Sequence, residues 1–456
     1  MAATRLGATR DMTSGSILGH MIHFALPLMV GNIFQMLYNT VDSIVVGQYV
    51  GKEALAAVNA TTVIINILVF FFNGFSVGAG VVIARNFGAR DQKKLHESVE
   101  TAMAATFAFC ALFTVMGLLM VRPMLDFMST PADVMEDATL YLRIYFFGIS
   151  GLLIYNMGSG VLRAVGDTTR PLLFLILTSV LNIILDLLFV LVFHAGIAGV
   201  AWATILAQMI SAALTTLLLS RAEDIYRLTW RDLRIKADVL RSIFAVGLPA
   251  AIQSVITAFS NTFVQSYINF FGSGCMAGWG CYNKLDQFIM LPMSSVAMGA
   301  TTFVSQNIGA DKEDRANRGT VVAMLLSLGV TAAIALALFV FSDQSLRLFS
   351  QDEEVISYGA MFLRANVFFL LFNCVNHVLA GALRGRQDAR GPMIVMLASF
   401  VGIRQVYLFL VTRFVANTPF LVGFGYPVGW MCCFVMELAY YYIRYRRKAI
   451  DRNDKQ

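Results

Sequence analysis

Apolar runs long enough to cross a lipid bilayer recur along this 456-residue sequence. The hydrocarbon layer is about 30 Å thick, so a helix needs about 20 apolar residues to cross it. Only a helix satisfies its own backbone hydrogen bonds in such a run, which predicts an all-α integral membrane protein with twelve transmembrane helices. The predicted spans 1–12 are residues 21–46, 56–84, 99–121, 136–161, 172–193, 199–220, 243–270, 281–305, 319–341, 355–382, 392–414 and 424–443.

The composition excludes a soluble globule. Hydrophobic residues make up 58% of the chain and charged residues only 14%, whereas a soluble domain carries roughly 25% charged residues. An apolar excess of this size has to face lipid rather than water.

The basic residues orient the spans. With twelve spans both termini share one side, and 26 of the 34 Lys and Arg residues fall in segments on that side, against four in the opposite loops. Because Lys and Arg concentrate on the cytoplasmic side, we predict that both termini are cytoplasmic. The net charge of +6 follows from the same bias and suggests contact with anionic lipid rather than nucleic acid.

The two halves of the sequence are related. At a shift of 221 residues, Gly160, Leu162, Arg163, Asp167 and Pro171 fall on Gly381, Leu383, Arg384, Asp388 and Pro392. Each half holds six spans, an even number, so the halves enter the membrane in the same direction as parallel repeats. Such repeats predict a transporter with alternating access. The predicted segments are an N-terminal tail (1–20), an N-lobe (21–220), a linker (221–241), a C-lobe (242–443) and a basic tail (444–456).

The halves resemble those of the multidrug and toxic compound extrusion (MATE) family, in particular its DinF- and MepA-like members. The resemblance rests on Ala25-Leu26-Pro27, on Asn39-Thr40-Val41-Asp42, on Gly78 to Gly88, and on the Leu-Arg-Gly/Ala-x-x-Asp loops after spans 4 and 10. It implies a two-lobed, twelve-helix cation antiporter that expels amphipathic, often cationic, compounds.

Four polar side chains of the first half fall at one predicted depth. A charged group at mid-membrane costs about 2.5–3.5 kcal/mol on insertion scales, so it is a functional candidate. Asp42 lies roughly 10 Å beyond the centre of span 1. Asp186 in span 5 and Thr204 in span 6 also lie in the outer half, and Asn182 shares a helix face with Asp186. These groups offer oxygen ligands for Na⁺, or a protonatable pair.

The resemblance adds roles to these positions. In DinF-like relatives the positions of Asp42, Asn182, Asp186 and Thr204 form the coupling-ion site, and Asn156 matches a further polar position of that network. Pro27 removes a backbone hydrogen bond and can kink span 1. A proline here has been linked in relatives to bending of the helix, which makes Pro27 a candidate hinge; a permanent kink is the alternative.

In the matched spans, the second half has polar residues that cannot ionise. Other branches of the family carry acids in spans 7 and 10, where this chain has Asn261 and Asn373. This departure predicts that ion coupling belongs to the first lobe. Lys284 and Asp286 are two residues apart in span 8 and do not face each other; they join the two asparagines as candidates for a substrate cavity. Arg404 and Glu437 could pair with one another or meet substrate.

The sequence therefore predicts a multidrug efflux antiporter driven by H⁺ or Na⁺, working as a monomer in a prokaryotic cell membrane. We predict small organic solutes and membrane lipid as partners. The chain contains no nucleotide-binding motif for ATP drive and no His, Cys or carboxylate cluster typical of a membrane enzyme, so neither an enzymatic activity nor a cofactor is expected. The alternative is a flippase for a lipid-linked precursor, from the same superfamily.

Overall fold

The computed structural model describes residues 9–222 and 224–446, and every regular element in these ranges is helical. Residues 1–8 of the predicted N-terminal tail and residues 447–456 of the predicted basic tail lie outside the described residues. The helices are α1 (Ile17–Val50), α2 (Lys52–Gly88), α3 (Gln92–Phe127), α4 (Ala132–Phe147), α5 (Ile149–Ala164), α6 (Thr169–Val192), α7 (Gly196–Ser220), α8 (Ala237–Asn269), α9 (Ser273–Gly309), α10 (Glu313–Val340), α11 (Ser342–Arg347), α12 (Glu353–Gly385), α13 (Arg390–Val415) and α14 (Pro419–Tyr445).

The predicted all-α membrane fold is confirmed. Eleven helices of the described residues are long and apolar enough to span a bilayer, and the bent pair α4–α5 completes a set of twelve if it counts as one span. Large apolar side chains such as Leu119, Leu325 and Phe414 remain exposed on these helices. Such exposure is unfavourable in water but suits a surface in contact with lipid tails.

Predicted span 4 is not one straight helix. The chain bends by 47° between α4 and α5, and Gly148 is the residue between them. A Cβ at Gly148 would lie 2.1 Å from Cγ2 of Ile205 on α7, so only glycine allows this close approach. The corresponding region of α12 contains the 3₁₀ turn Val367–Phe369, an interruption that the apolar pattern of the sequence did not indicate.

The chain forms two compact units, whose boundaries lie inside helices. Unit 1 contains Pro27–Ala251 and the segment that ends at Asp11, and unit 2 contains Met12–Leu26 and the chain from Ile252 onward. Helices α1 and α8 therefore each contribute to both units. Pro27 is the first residue of α1 in unit 1, and Ala251, two residues after Pro249, is the last residue of α8 in unit 1. Pro27 and Pro249 are related by the repeat.

Both units use the same internal packing. In unit 1, α5 packs against α2 and α7; in unit 2, the second half of α12 packs against α9 and α14, the helices at the equivalent positions. The core of unit 1 includes Phe72, Phe75 and Phe146. In unit 2, Trp279 makes an edge contact with Phe362 and stacks on Tyr426, with ring centroids 4.8 and 5.2 Å apart. The two cores share an architecture but not their side chains.

The repeat-related loops after α5 and α12 hold an aspartate at equivalent positions. Asp167 Oδ1 accepts hydrogen bonds from the backbone amides of Thr169 and Arg170, each 3.1 Å long. Burial raises the pKa of Asp167, and its contacts with Arg170 partly oppose that effect. Asp388 Oδ2 accepts hydrogen bonds from the hydroxyls of Tyr440 and Tyr445, both at 2.8 Å. These loop acids therefore have structural partners.

We expect Gly78→Ala to destabilise the protein, because α2 and α8 touch through their backbones at this point. A Cβ at Gly78 would lie 2.3 Å from the carbonyl oxygen of Ile243 and 2.7 Å from the amide nitrogen of Gly247. Overpacking of this kind costs about 1–3 kcal/mol. The matched control is Gly329→Ala on α10, where a Cβ meets nothing within 4 Å. Thermal unfolding of both variants in detergent should show a lower midpoint for Gly78→Ala alone, and equal midpoints would contradict the close contact.

Candidate functional site

The carboxyl groups of Asp42 and Asp186 meet inside unit 1. Asp42 lies on the part of α1 that belongs to this unit, and Asp186 lies on α6. The two carboxyl groups interact directly with each other, and Asp186 is fully buried. An ionised carboxylate only accepts hydrogen bonds, so this contact requires a proton on one of the two groups. Without a proton or a cation, two negative charges would repel each other in a medium of low dielectric constant.

Several polar atoms around this pair have no other partner among the described residues. They are Oδ1 of Asp42, both carboxylate oxygens of Asp186, and both Oδ1 and Nδ2 of Asn182. Asn182 is 3% exposed and precedes Asp186 by one helical turn. Leaving a buried polar group unsatisfied costs about 1–3 kcal/mol. A cluster of such groups is therefore expected to bind a proton, a cation or water.

Three tyrosines surround the acidic pair, and the sequence analysis did not identify them. Tyr38 lies one turn before Asp42 and interacts electrostatically with it. Tyr141 on α4 interacts electrostatically with both aspartates, and its ring stacks on that of Tyr145 at 6.4 Å. The signal was present as a tyrosine one helical turn from Asp42, at position 38, and as two tyrosines one turn apart, at 141 and 145, but tyrosines within apolar runs are also ordinary core residues.

The two other predicted members of the site differ from the pair in their contacts. Asn156 on α5 donates a hydrogen bond from Nδ2 of its side chain to the backbone carbonyl of Leu152 at 2.9 Å. The backbone carbonyl of Asn156 accepts one from Oγ of Ser76, also at 2.9 Å. Its amide nitrogen is therefore engaged locally. Thr204 is half-buried on α7, which packs along α6. Within the described residues, no hydrogen bond joins either residue to the aspartates.

The predicted candidates of the second lobe each have their own contacts in unit 2. The exposed Lys284 places Nζ 5.5 Å from the centroid of the Phe349 ring. Asn373 directs Nδ2 toward Sδ of Met290 at 3.5 Å. Asp286 interacts electrostatically with Tyr282 and Tyr426. Asn261 accepts a hydrogen bond from Nη2 of Arg404 at 3.0 Å.

Arg404 and Glu437 do not form an ion pair in the described residues, contrary to one of the two expectations for them. The guanidinium of Arg404 donates to Ser260 and Asn261 and lies 5.0 Å from the ring centroid of Tyr426. Glu437 is fully buried and has Arg384 as its electrostatic neighbour. Neutral acceptors and an aromatic face stabilise Arg404 in place of a carboxylate.

The profile of the MatE family matches this chain twice, over residues 27–188 and 249–410. The chain belongs to the MatE family. The second match begins and ends 222 residues after the first, as a tandem repeat requires. Membership makes the protein a multi-pass membrane transporter and not a member of an enzyme family.

Relatives of this MatE-family chain match over almost its whole length. Two are the probable multidrug resistance proteins YpnP and YoeA of Bacillus subtilis. YpnP is 28% identical over 437 residues, covering 96% of this chain and 97% of the relative; YoeA is 25% identical over 452 residues, covering 97% of each. The multidrug export protein MepA of Staphylococcus aureus is 23% identical over 445 residues, covering 95% of each.

Solved MATE structures have the same fold. An outward-facing multidrug resistance MATE family transporter of the MOP superfamily superposes with a TM-score of 0.90 at 21% identity, covering 96% of this chain and 98% of that chain. A MATE protein in a bent conformation gives a TM-score of 0.90 at 22% identity, covering 98% of each chain.

We expect Asp186→Asn to leave the midpoint of thermal unfolding at pH 8 unchanged or raised. The amide is similar in size to the carboxyl, and it removes a buried charge that lacks a cationic partner among its electrostatic neighbours. Asp388→Asn is the contrasting variant, because its carboxylate accepts two tyrosine hydroxyls, and it should lower the midpoint. A loss of stability in Asp186→Asn equal to that in Asp388→Asn would mean that Asp186 has a structural partner.

Proposed function

We propose that this MatE-family transporter is a secondary active antiporter that exports amphipathic, mainly cationic organic compounds in exchange for H⁺ or Na⁺. The observation that carries the proposal is the buried contact between Asp42 and Asp186 in unit 1. The names of the relatives, which describe multidrug resistance and multidrug export, support the substrate class.

The exchange follows from the charge of the pair. With one proton or one Na⁺ bound, the pair carries a single negative charge at most. Without the ion, it carries two negative charges, which repel each other. Release of the ion therefore favours a substrate cation in its place, and binding of the ion favours substrate release. Entry of one positive charge along the membrane potential supplies about 2.3 kcal/mol per 100 mV.

The side chains near the pair suit both kinds of coupling ion. A proton needs only the two carboxyls. Na⁺ is a hard cation that prefers oxygen ligands, and Asp42, Asp186, Asn182 and Thr204 are the proposed donors, with Thr204 reaching the site by a change of rotamer. Asn156 is a weaker member of the proposed network because its side-chain amide already donates a hydrogen bond to the backbone carbonyl of Leu152. No cofactor or ATP is needed for a cycle of this kind.

The tyrosines support a cationic substrate. Aromatic faces attract an organic cation by about 0.5–2 kcal/mol, depending on desolvation. Tyr38 and Tyr141 are electrostatic neighbours of the acidic pair, and Tyr145 stacks on Tyr141, so a substrate with a positive group and an apolar body would meet matching chemistry. Lys284, Asp286, Asn261 and Asn373 remain proposed contacts for other parts of the substrate.

Pro27 is the proposed hinge of α1. The helix continues through this proline, which removes one backbone hydrogen bond. Pro27 is also the first residue of α1 that groups with unit 1. A bend at this position would move Asp42 relative to the rest of the helix.

The remaining features of the proposal concern location. The bias of Lys and Arg supports cytoplasmic termini, and we propose a monomer in the cell membrane of a bacterium or archaeon. A flippase for a pyrophosphate-linked lipid receives less support. It needs cationic side chains free to meet phosphate, whereas Arg404 is 1% exposed and already engaged with Ser260 and Asn261.

We predict that Asp42→Asn abolishes ion-driven efflux while the protein still folds. The test uses sealed vesicles containing the purified protein, with a fluorescent organic cation as substrate and with pH and sodium gradients imposed separately. The wild type should transport under one of the two gradients, which also identifies the coupling ion. The variant should lose at least nine-tenths of this rate.

The control is Asp126→Asn, which removes an acid whose side chain is 58% exposed beside Arg122 and should leave transport unchanged. Undiminished gradient-driven transport by a folded Asp42→Asn protein would refute the site assignment. Transport that neither gradient drives would refute antiport itself.

A further inference from the structure

A second group of titratable side chains lies where the segment between α7 and α8 crosses α3. His96 and Glu100 are one turn apart on α3, and Asp232 lies in the connecting segment. One ligand atom from each residue lies within 4.8 Å of the other two. All three residues belong to unit 1, and none contributes to the proposed antiport.

The closest contact in this group joins Nε2 of His96 and Oε1 of Glu100, 2.6 Å apart. Glu100 is 6% exposed, and Oε1 is buried. A buried carboxylate needs a positive partner. The contact is attractive when Nε2 carries a proton; when Nε2 is unprotonated, a lone pair faces the carboxylate, and a cation between the two atoms relieves the repulsion.

The nearby lysine is an electrostatic neighbour of Glu100, but its closest carboxylate is a different one. Lys236 places Nζ 2.5 Å from Oε1 of Glu97, so Glu97 holds the ammonium group. Asp232 is a further negative neighbour of Glu100. One imidazole and two carboxylates therefore converge, while the local ammonium is paired elsewhere.

The connecting segment is held against α3 on both sides of Asp232. The ring of Trp230 stacks on that of Phe107, with centroids 5.8 Å apart. On the other side, Thr101 Oγ1 donates to the carbonyl of Arg234 and accepts from the backbone amide of Lys236, both at 3.3 Å. Asp232 is exposed. The contacts on both sides hold its backbone near the other two ligands.

We propose that His96, Glu100 and Asp232 bind one divalent transition-metal ion of the Zn²⁺ class, with a fourth coordination position left to water. Imidazole and carboxylate together suit Zn²⁺, Co²⁺ and Ni²⁺ rather than Mg²⁺ or Ca²⁺, which select oxygen ligands alone. Zn–N and Zn–O bonds of about 2.0–2.2 Å place tetrahedral ligands roughly 3.4 Å apart. Metal binding therefore needs a rotamer change at the exposed Asp232 and a small separation of His96 Nε2 from Glu100 Oε1, which now lie 2.6 Å apart.

The consequence is a metal-dependent attachment of the connecting segment to α3. This segment joins α7 to α8, and the metal would add a third anchor between the Trp230 and Thr101 contacts. Because the ion binds the folded arrangement and not the separated segments, it should raise the stability of the protein by mass action.

The experiment uses the full-length protein in detergent after removal of metal with a chelator. Titration with Co²⁺ alone, followed by visible absorption, should show one saturable site with the strong absorption of four-coordinate cobalt. Calorimetric titration with Zn²⁺ alone should give the same 1:1 stoichiometry. His96→Ala and Asp232→Asn should each weaken Zn²⁺ binding at least tenfold, and Zn²⁺ should no longer raise the unfolding midpoint of either variant.

Asp238→Asn and His194→Ala are the controls, because each changes an exposed residue of the same type outside the group. Both should bind Zn²⁺ as the wild type does. His96→Ala removes the closest partner of the buried Glu100 and can lower stability, whereas Asp232→Asn alters an exposed residue, so Asp232→Asn decides the matter if His96→Ala does not fold. Absence of saturable binding, or equal affinity in the wild type and both of these variants, would overturn the proposal. Neither result depends on transport.

Discussion

A backbone amide inside a bilayer has no water to bond with, and this constraint governs the structure. It forces the chain into helices whose hydrogen bonds close internally, and it allows the side chains facing lipid to be almost entirely apolar. Under the same constraint, each buried polar side chain has to find a partner within the protein or carry an exchangeable ion. The distribution of satisfied and unsatisfied polar groups therefore separates structural positions from candidate functional ones.

Arg404 and Asp388 represent the satisfied class. Arg404 is a buried cation without a carboxylate, but two neutral oxygens and two aromatic faces surround its guanidinium. Asp388 accepts from two tyrosines and one backbone amide. Asp42, Asp186 and Asn182 represent the opposite class, since their buried atoms have no partner beyond the contact between the carboxyls, as far as the described residues extend. Glu437 of unit 2 also has unpartnered buried oxygens, but it has a basic neighbour in Arg384, whereas the acidic pair joins two carboxyls.

The sequence was sufficient for the fold because lipid imposes a simple pattern of long apolar runs. It missed the break at Gly148, because the close approach of Ile205 depends on how α7 packs and not on any local pattern. Asp42 and Asp186 could be placed at one depth from helix rise alone, since 1.5 Å per residue fixes height. Height does not fix rotation about the helix axis, and so depth alone did not identify the tyrosines near the pair.

The two units show why a repeat in sequence need not be a repeat in function. Each unit keeps one loop aspartate, Asp167 in unit 1 and Asp388 in unit 2, and each of these accepts hydrogen bonds from residues that follow it in the chain. Both units also pack equivalent helices in the same order. In the part of the chain that the structure describes, the contact between Asp42 and Asp186 lies in unit 1. A single buried carboxyl such as Asp286 becomes neutral with one proton, whereas a contacting pair can bind one cation and still carry negative charge. A lone carboxyl can exchange one proton for one organic cation, whereas a contacting pair also offers the additional oxygen ligands that Na⁺ prefers. This physical asymmetry assigns the proposed coupling to unit 1, although the fold is shared by both.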